Sequence, residues 1–209
     1  MESTNQILLE NIQNSISEVV PKKKIGIAFS GGVDSTLVSK ICTDMGFDVV
    51  LLTIGFSESH DIIFSKEVNE FLNYSHHVLE IDPETFPKIT TDIHKVIDTD
   101  NLSWNENCIA FHYVSKLAKS LNLDVVITGN GIDELFCGYN AYREAFVGGQ
   151  TKINEVMDSK LENELKMIKA VNVIASEFDV KILQPLLSAK FIEYAKTVPI
   201  TEKIHSSDD

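Results

Sequence analysis

The chain has 209 residues, of which 44% are hydrophobic and 23% charged, which is ordinary for a folded globular protein. Its formal net charge is -13, with 31 acidic against 18 basic residues. This balance argues against a nucleic-acid or anionic-membrane partner, because such partners are bound by clustered Lys and Arg. Three cysteines without a C-x-x-C pair indicate neither a zinc knuckle nor a redox pair. No apolar run has the length of a membrane span, so we expect a cytoplasmic protein.

The hydrophobic pattern predicts strands that alternate with helices. A helix over 3–20, capped by Ser3 or Thr4, precedes an apolar run that ends at Phe29. Further strands are predicted at 48–54, 76–81 and 124–128, with a short apolar piece at 180–183. Further helices are predicted at 35–45, after a cap at Asp61, at 84–98 with a break near Pro87, and at 108–121, 132–146, 153–176 and 188–197. Residues 98–107 are expected to be a polar connection.

This alternation predicts an α/β fold with a doubly wound, mostly parallel sheet and helices on both faces. Residues 1–150 would form the α/β core, and residues 151–209 would form a helical extension packed on it, within one domain overall. Ligands of such sheets lie beyond the carboxyl ends of the strands.

The first glycine junction, residues 30–36, follows the first predicted strand and opens a helix with the sequence Ser-Gly-Gly-Val-Asp-Ser-Thr. Glycines allow a tight turn whose backbone N–H groups point into one concavity, and the helix dipole favours an anion there. No Gly-Lys-Ser/Thr follows, so this is not a Walker P-loop. We interpret it as a site for nucleotide phosphates. A carboxylate beside phosphates would repel them unless a cation lies between, so Asp34 is a candidate Mg²⁺ ligand. The alternative is that Asp34 only complements the helix dipole.

The first glycine junction resembles the pyrophosphate loop (PP-loop) of the ATP pyrophosphatase superfamily, which splits ATP between its α and β phosphates. The second glycine junction, residues 128–139, has the sequence Thr-Gly-Asn-Gly-Ile-Asp-Glu-Leu-Phe-Cys-Gly-Tyr. It closely resembles the T-G-E/D-G-x-D-E-L-F-G-G-Y signature of asparagine synthetases and their β-lactam-synthetase relatives. Weaker likeness at 53–62 and 181–204 extends the resemblance from about residue 5 to the end.

The resemblance implies roles at the matching positions. The pyrophosphate half of ATP would be held by Ser30, Gly31, Gly32, Asp34, Ser35 and Thr36. The adenosine pocket would be lined by Ala28, Ile54, Thr128 and Gly129. Asp34 and Asp133 would share Mg²⁺ and carry the chemistry. For Glu134 the favoured reading is simple complementation of the helix dipole.

Three departures bear on the reaction. The acid between the two family glycines is Asn130 here, and an amide is no general base at neutral pH. The family's P-F-L-D element reads Pro185 to Ser188, with Ser188 in place of the Asp, and the Arg that precedes the element in the family is Lys181 here. No glutaminase segment precedes the loop, so nitrogen would come from ammonia, a separate amidotransferase or an amine of the substrate.

The resulting hypothesis is an ATP-dependent, amide-forming ligase of asparagine-synthetase type, which activates a small carboxylic acid as an acyl-adenylate. The alternative is a nucleotide-binding relative with altered catalysis, and a weaker one is a tRNA-modifying PP-loop enzyme, for which this acidic chain lacks a basic surface. A homodimer is left open.

Overall fold

The structure is a computed structural model that describes residues 4–206. Its strands are β1 (Lys24–Ala28), β2 (Asp48–Gly55), β3 (Ser75–Glu80), β4 (Val125–Ile127) and β5 (Lys181–Leu183). Its helices are α1 (Thr4–Val19), α2 (Val33–Asp44), α3 (His60–Leu72), α4 (Phe86–Ile97), α5 (Leu102–Ser120), α6 (Ile132–Leu135), α7 (Asn140–Phe146), α8 (Gly149–Ser176) and α9 (Ala189–Thr197). Short 3₁₀ turns cover Pro185–Leu187 and Ile200–Glu202.

The five strands form one sheet in the order β3-β2-β1-β4-β5. Every neighbouring pair is parallel, with Gly26 opposite both Val50 and Val126 at the centre. The chain moves outward from β1 to β3 and then returns to the other side of β1 with β4 and β5. This reversal beside the first strand is the switch point of a doubly wound sheet. It confirms the predicted fold class, and the sheet is parallel throughout.

The sheet is buried because its strands carry apolar side chains on both faces, as expected for parallel strands. On one face, side chains of β2, β4 and β5 join those of α5 and the end of α8 in one buried cluster. Its most buried members are Leu52, Cys108, Ala118, Val126, Val171, Ile174, Ala175 and Ile182. Alternation sends Ile25, Ile27 and Leu51 to the opposite face, where α2 contacts β1 and β2 and α3 contacts β2.

The described residues divide into two compact units. One unit contains the sheet and comprises Pro21–Thr128 and Met167–Leu183. The other comprises the chain up to Val20, Gly129–Lys166 and the chain from Gln184 onwards, so α8 contributes to both. We call them the sheet unit and the helical unit. The division at residue 150 that the sequence predicts stays a prediction.

Five segments differ from the sequence prediction. Helix α4 begins at Phe86, with Pro87 in its first turn, and runs without the predicted break to Ile97. Helix α5 begins at Leu102, six residues early, because the Asn101 side chain caps it by accepting from the Trp104 N–H at 3.2 Å. Ser59, and not Asp61, is the N-cap of α3. The predicted helix at 132–146 is broken into α6 and α7. The apolar piece after residue 180 is a fifth strand, too short for a periodic signal. Ser3, the alternative cap of α1, lies outside the described residues.

None of the helices between residues 4 and 206 combines the length and the apolar character that crossing a membrane requires.

The edge strand β5 is closed by a side chain. Asn172 on α8 donates from Nδ2 to the Ile182 carbonyl oxygen at 3.0 Å and accepts at Oδ1 from the Ile182 N–H at 2.9 Å. The amide thus imitates the next strand of the sheet and satisfies both polar groups of a buried residue.

We expect Asn172→Ala to lower the free energy of unfolding by about 1–3 kcal/mol, because it leaves the N–H and C=O of Ile182 without their partner. Urea denaturation followed by circular dichroism measures the change. Asn154→Ala, at an exposed position of the same helix, is the matched control and should change the free energy by less than about 0.5 kcal/mol. Equal effects of the two substitutions would contradict the role given to Asn172.

Candidate functional site

The first glycine junction is a tight turn that only glycine fits. Between β1 and α2, Gly31 has a φ of 81°, in the left-handed region that disfavours side chains. A Cβ at Gly31 would also lie 3.0 Å from Phe64 Cδ1 and 3.1 Å from Ser65 Cα of α3. Both the conformation and the close approach of α3 therefore require this glycine.

Hydroxyl groups tie the turn to the start of α2. Ser35 Oγ donates to the Gly32 carbonyl at 3.1 Å, and Thr36 Oγ1 donates to the Gly31 carbonyl at 3.2 Å. Ser30 Oγ accepts from the Gly32 N–H at 3.2 Å. The N-cap of α2 is Gly32 itself, which makes no side-chain cap. The turn is rigid and presents a helix start without a capping side chain, which is the arrangement that receives an anion.

A cavity of about 180 Å³ adjoins this turn. It is lined by Ala28, Phe29, Ser30, Leu52, Thr53, Ile54, Asp61, Ala110, Phe111 and Val114. Ala28, Ser30 and Ile54 are predicted site residues, and the structure brings them together. Its volume is below the range of about 300–1,000 Å³ for whole drug-sized ligands, so it suits one part of a nucleotide.

Residues of α5 form the wall of this cavity that sequence reasoning missed. Ala110, Phe111 and Val114 are far from both glycine junctions in sequence, and the sequence predicts for them only a place in the helix over 108–121. Nothing local distinguishes a core-facing residue from one that lines a cavity. The position of α5 against β2 decides it.

Thr53 stabilises the strand ends around the cavity. Its buried hydroxyl donates to the Phe29 carbonyl at 2.6 Å and lies 2.8 Å from His76 Nε2. Burial lowers the pKa of His76, which keeps this imidazole neutral and suited to a neutral hydrogen bond. The end of β1 is thereby tied to β2 and β3.

The other predicted adenosine residues, Thr128 and Gly129, are not among the residues that line this cavity. Thr128 is buried at the end of β4, where its N–H donates to the Leu183 carbonyl at 3.1 Å. Gly129 begins a segment of the helical unit. Their role in adenosine binding stays a prediction.

A larger cavity, of about 670 Å³, lies at the opposite ends of the strands. It is lined by Lys22, Lys23, Lys24, Lys119, Asn122, Leu123, Asp124 and Asp179. Ion pairs join Lys22 to Asp124 and Lys119 to Asp179. Since ligands of parallel sheets bind beyond the carboxyl ends of the strands, size alone does not make this cavity the site. Lys22, Lys23 and Lys24 therefore lie at the end of β1 opposite the glycine turn.

In the second glycine junction, the buried side chain of Glu134 is hydrogen-bonded to the backbone of the turn. It is only 3% exposed, and its Oε2 accepts from the Gly131 N–H at 2.8 Å. The hydroxyl of Tyr139 donates to its Oε1, and that of Tyr142 donates to its backbone carbonyl. Simple complementation of the helix dipole is therefore an incomplete account of Glu134. It is a buried, fully bonded carboxylate that fixes the turn.

Asp133 occupies a space that a glycine leaves for it. A Cβ at Gly138 would lie 1.9 Å from Asp133 Oδ1, so a side chain there would displace the carboxylate. Burial, and then the charge of Glu134, raises the pKa of half-buried Asp133. A nearby cation would stabilise the ionised carboxylate, because it would offset both the burial and the charge of Glu134.

Asn130, which stands where the family has an acid, contacts the carboxylate of Glu164. Asn130 Nδ2 donates to Glu164 Oε1 at 2.8 Å, and Gln184 Nε2 donates to the same oxygen at 2.8 Å. Glu164 lies on α8 and is 4% exposed. Burial raises the pKa of Glu164, the charge of Glu134 adds to this, and the two amide donors oppose it. A buried carboxylate is thus present at this turn, but it comes from 34 residues later in the chain.

Sequence reasoning missed Glu164, although α8 carries a signal. The buried positions Ile153, Met157 and Leu161 recur at helical spacing, and Glu164 continues the same buried face. An acid on the apolar face of an otherwise charged helix is uncommon without a partner, and this would have singled it out.

The donor set fits magnesium bound together with phosphates. Among residues 4–206 there is no group of three or more His, Cys, Asp or Glu side chains placed to hold a metal ion. Half-buried carboxylates such as Asp34 and Asp133 supply the oxygen ligands that Mg²⁺ takes, and Mg²⁺ in nucleotide sites needs only one or two of them beside phosphate oxygens and water.

A doubly wound parallel sheet whose central strand runs into a glycine turn and a helix start defines an α/β protein of the phosphate-binding class. The family model described as Asparagine synthase matches residues 8–177. The chain belongs to this family.

Two curated relatives are named as glutamine-hydrolysing asparagine synthetases. The protein of Methanocaldococcus jannaschii is 27% identical over 209 residues, which cover 97% of this chain and 38% of the relative. The enzyme of Asparagus officinalis is 24% identical over 203 residues, which cover 92% of this chain and 34% of the relative. The chain thus spans little more than a third of the length of these relatives.

Among solved structures, NMN synthetase from Francisella tularensis is similar with a TM-score of 0.47 and 21% identity, over 66% of this chain and 59% of that protein. The fold assignment rests on the strand order and the parallel pairing described above.

The raised pKa of Glu164 predicts a pH dependence of stability. An unfolded Glu titrates near pH 4.3, and a folded-state pKa above this value means that the folded protein binds the proton more tightly. The contribution of this group to the free energy of unfolding is therefore fully present below that pH and falls as the pH rises towards the folded-state pKa. Glu164→Gln should lack this fall.

The measurement is urea denaturation of wild type and variant between pH 4 and 8. The difference, wild type minus Glu164→Gln, should decrease with rising pH. Glu162→Gln is the control, since Glu162 is exposed on the same helix and its hydrogen bond to Lys166 lowers its pKa, so its dependence should be weak and opposite in sign. A difference for Glu164 that is flat or rises with pH would refute the assignment.

Proposed function

We propose that this chain is the ATP-using synthetase part of an amide-forming ligase that activates a small carboxylic acid as an acyl-adenylate and releases pyrophosphate. The observation that carries the proposal is the rigid glycine turn beside an apolar cavity at the carboxyl ends of β1 and β2, in a chain of the Asparagine synthase family. Phosphates and a purine need these two features side by side.

In this proposal the first glycine junction holds the pyrophosphate half of ATP. The backbone of Gly31, Gly32 and the first turn of α2 donates N–H groups, and the hydroxyls of Ser30, Ser35 and Thr36 complete the cradle. Ala28 and Ile54 contact the adenine, and we assign Thr128 and Gly129 to the same nucleotide from the family resemblance.

We assign Asp34 and Asp133 as the magnesium ligands. Each is an acid in the first turn of a helix that follows a glycine turn, and Asp133 has a space kept open by Gly138. Magnesium, when bound, would neutralise the charge of the phosphates. The first glycine junction contains no lysine, so this positive charge has to be imported.

The reaction has two displacements. An oxygen of the substrate carboxylate attacks the α-phosphorus of ATP, the bond to the β-phosphate oxygen breaks, and pyrophosphate leaves into the N–H groups of the turn. An amine nitrogen then attacks the acyl carbon, a proton leaves the nitrogen, and AMP departs with the bonding electrons. The nitrogen enters as ammonia or as an amine of the substrate.

Glu164 is the group that we assign to the proton released from the amine. Asn130 occupies the position of the family acid and cannot accept this proton, but it holds Glu164 at the turn through one hydrogen bond. Burial raises the pKa of Glu164, which makes the carboxylate a stronger base.

A second candidate function is nucleotide binding without amide formation. It is favoured by Asn130 and by Ser188, which stands where the family has Asp. Ser188 Oγ accepts from the Phe191 N–H at 3.3 Å as the cap of α9 and lies 2.8 Å from Ser15 Oγ. The substituted residue thus serves a structural role in the helical unit.

ATP–pyrophosphate exchange, screened across small carboxylic acids, tests the first function. We expect exchange with at least one acid, and we expect Asp34→Ala and Asp133→Ala each to reduce it at least about a hundredfold, as lost charge stabilisation does. Asp92→Ala, at an exposed position of α4, should leave the exchange unchanged. ATP binding by calorimetry without exchange for any acid would overturn the ligase proposal and favour the second candidate.

Glu164→Gln should separate the two displacements. Because Glu164 acts on the amine and not on the phosphates, exchange should stay within about threefold of wild type, while amide formation falls about 10²–10⁴-fold as for a lost general base. Quenched-flow measurement of pyrophosphate release and amide product distinguishes them. Equal losses in both steps would remove Glu164 from the proposed role.

A further inference from the structure

We propose that Asp61 binds the ribose hydroxyls of the nucleotide and makes the site selective for ribonucleotides. This inference rests on the proposed ATP site. Asp61 lies in the first turn of α3, directly after the loop that follows β2, and it lines the cavity beside the first glycine junction.

The cavity offers few polar side chains for a sugar. Of the ten lining residues, Ser30, Thr53 and Asp61 have polar side chains. The Thr53 hydroxyl is buried and already bonded to Phe29 and His76. The Ser30 hydroxyl accepts from the Gly32 N–H within the turn. Asp61 is the one acidic residue among the ten.

The Asp61 carboxylate is also accessible. Its side chain is 65% exposed, and the side chain of His60, whose Nδ1 lies 3.7 Å from Asp61 Oδ1, is itself 84% exposed. A pair so open to water is weak and releases the carboxylate at little cost. A bound ligand can therefore replace this contact.

The order of groups in a nucleotide assigns the sugar to this carboxylate. The apolar side chains of β1, β2 and α5 suit the base, and Ser30 belongs to the turn that receives phosphates. Ribose connects base and phosphates, so it has to lie at the rim that Ser30 and Asp61 share. Carboxylates accept from two hydroxyls at once, and acids after the second strand of doubly wound sheets bind ribose in this way.

The proposal also explains why an acid is tolerated beside an anion site. A carboxylate near phosphates repels them, so it weakens the binding of any phosphate compound by the same factor. This common factor cancels when two nucleotides that differ only in a ribose hydroxyl are compared. The ratio of their affinities therefore measures the contact between Asp61 and that hydroxyl.

The test is isothermal titration calorimetry of the full chain with ATP, 2′-deoxy-ATP, 3′-deoxy-ATP and ITP, in the presence of Mg²⁺. For wild type we expect ATP to bind about tenfold more tightly than at least one of the deoxy nucleotides, the effect of one charge-assisted hydrogen bond. Asp61→Ala should bring this ratio to about one, and Asp61→Asn should leave part of it. The ratio of ATP to ITP should not change, because the base does not contact Asp61.

Glu67→Gln, which removes an exposed charge from the same helix away from the cavity lining, is the matched control and should keep both ratios. A wild type that binds ATP without preference for the hydroxyls would overturn the ribose contact and leave the ATP site standing. If Asp61→Ala changed only the ratio of the affinities for ATP and ITP, the ribose contact would also be overturned, because Asp61 would then contact the base. Absence of ATP binding in wild type would overturn both proposals.

Discussion

The pairing of β1 with β2 on one side and β4 on the other is the constraint on which the sheet unit depends. Parallel strands end at one edge, so the chain that leaves β1 and the chain that leaves β2 begin their turns side by side. The glycine turn, the cavity and Asp61 all belong to that edge. Thr53, which ties the end of β1 to β2 and β3, keeps this edge in register.

A second constraint acts in the helical unit, where two carboxylates are almost fully buried. Burial of an ionised group is costly unless hydrogen bonds replace water. Glu134 has the Gly131 N–H and the Tyr139 hydroxyl, and Glu164 has two amide donors. These bonds order the turn, but they leave the carboxylates in an environment that raises the pKa of Glu164. The burial that goes with the ordered turn is therefore also what raises the pKa of Glu164.

Sequence reasoning found the α/β class, four of the five strands and both glycine junctions, because these depend on local signals. Strands buried on both faces are continuous apolar runs, and turns with positive φ are marked by glycine, as at Gly31 and Gly131. It missed β5, whose three residues are too few for a periodic pattern. It also began α5 six residues late, because the capping role of Asn101 depends on the geometry of one side chain.

The sequence by itself therefore determined where the two glycine turns lie, which acids follow them and the family. Residue types and their spacing are sufficient where neighbouring residues make the site. Only the tertiary structure decided that α5 walls the cavity, that Asp61 faces it, and that Glu164 stands beside Asn130. Each of these contacts joins residues far apart in sequence. Helical or strand periodicity predicts which face of an element is buried, but not which other element packs against that face. That placement is set by packing of the whole buried surface.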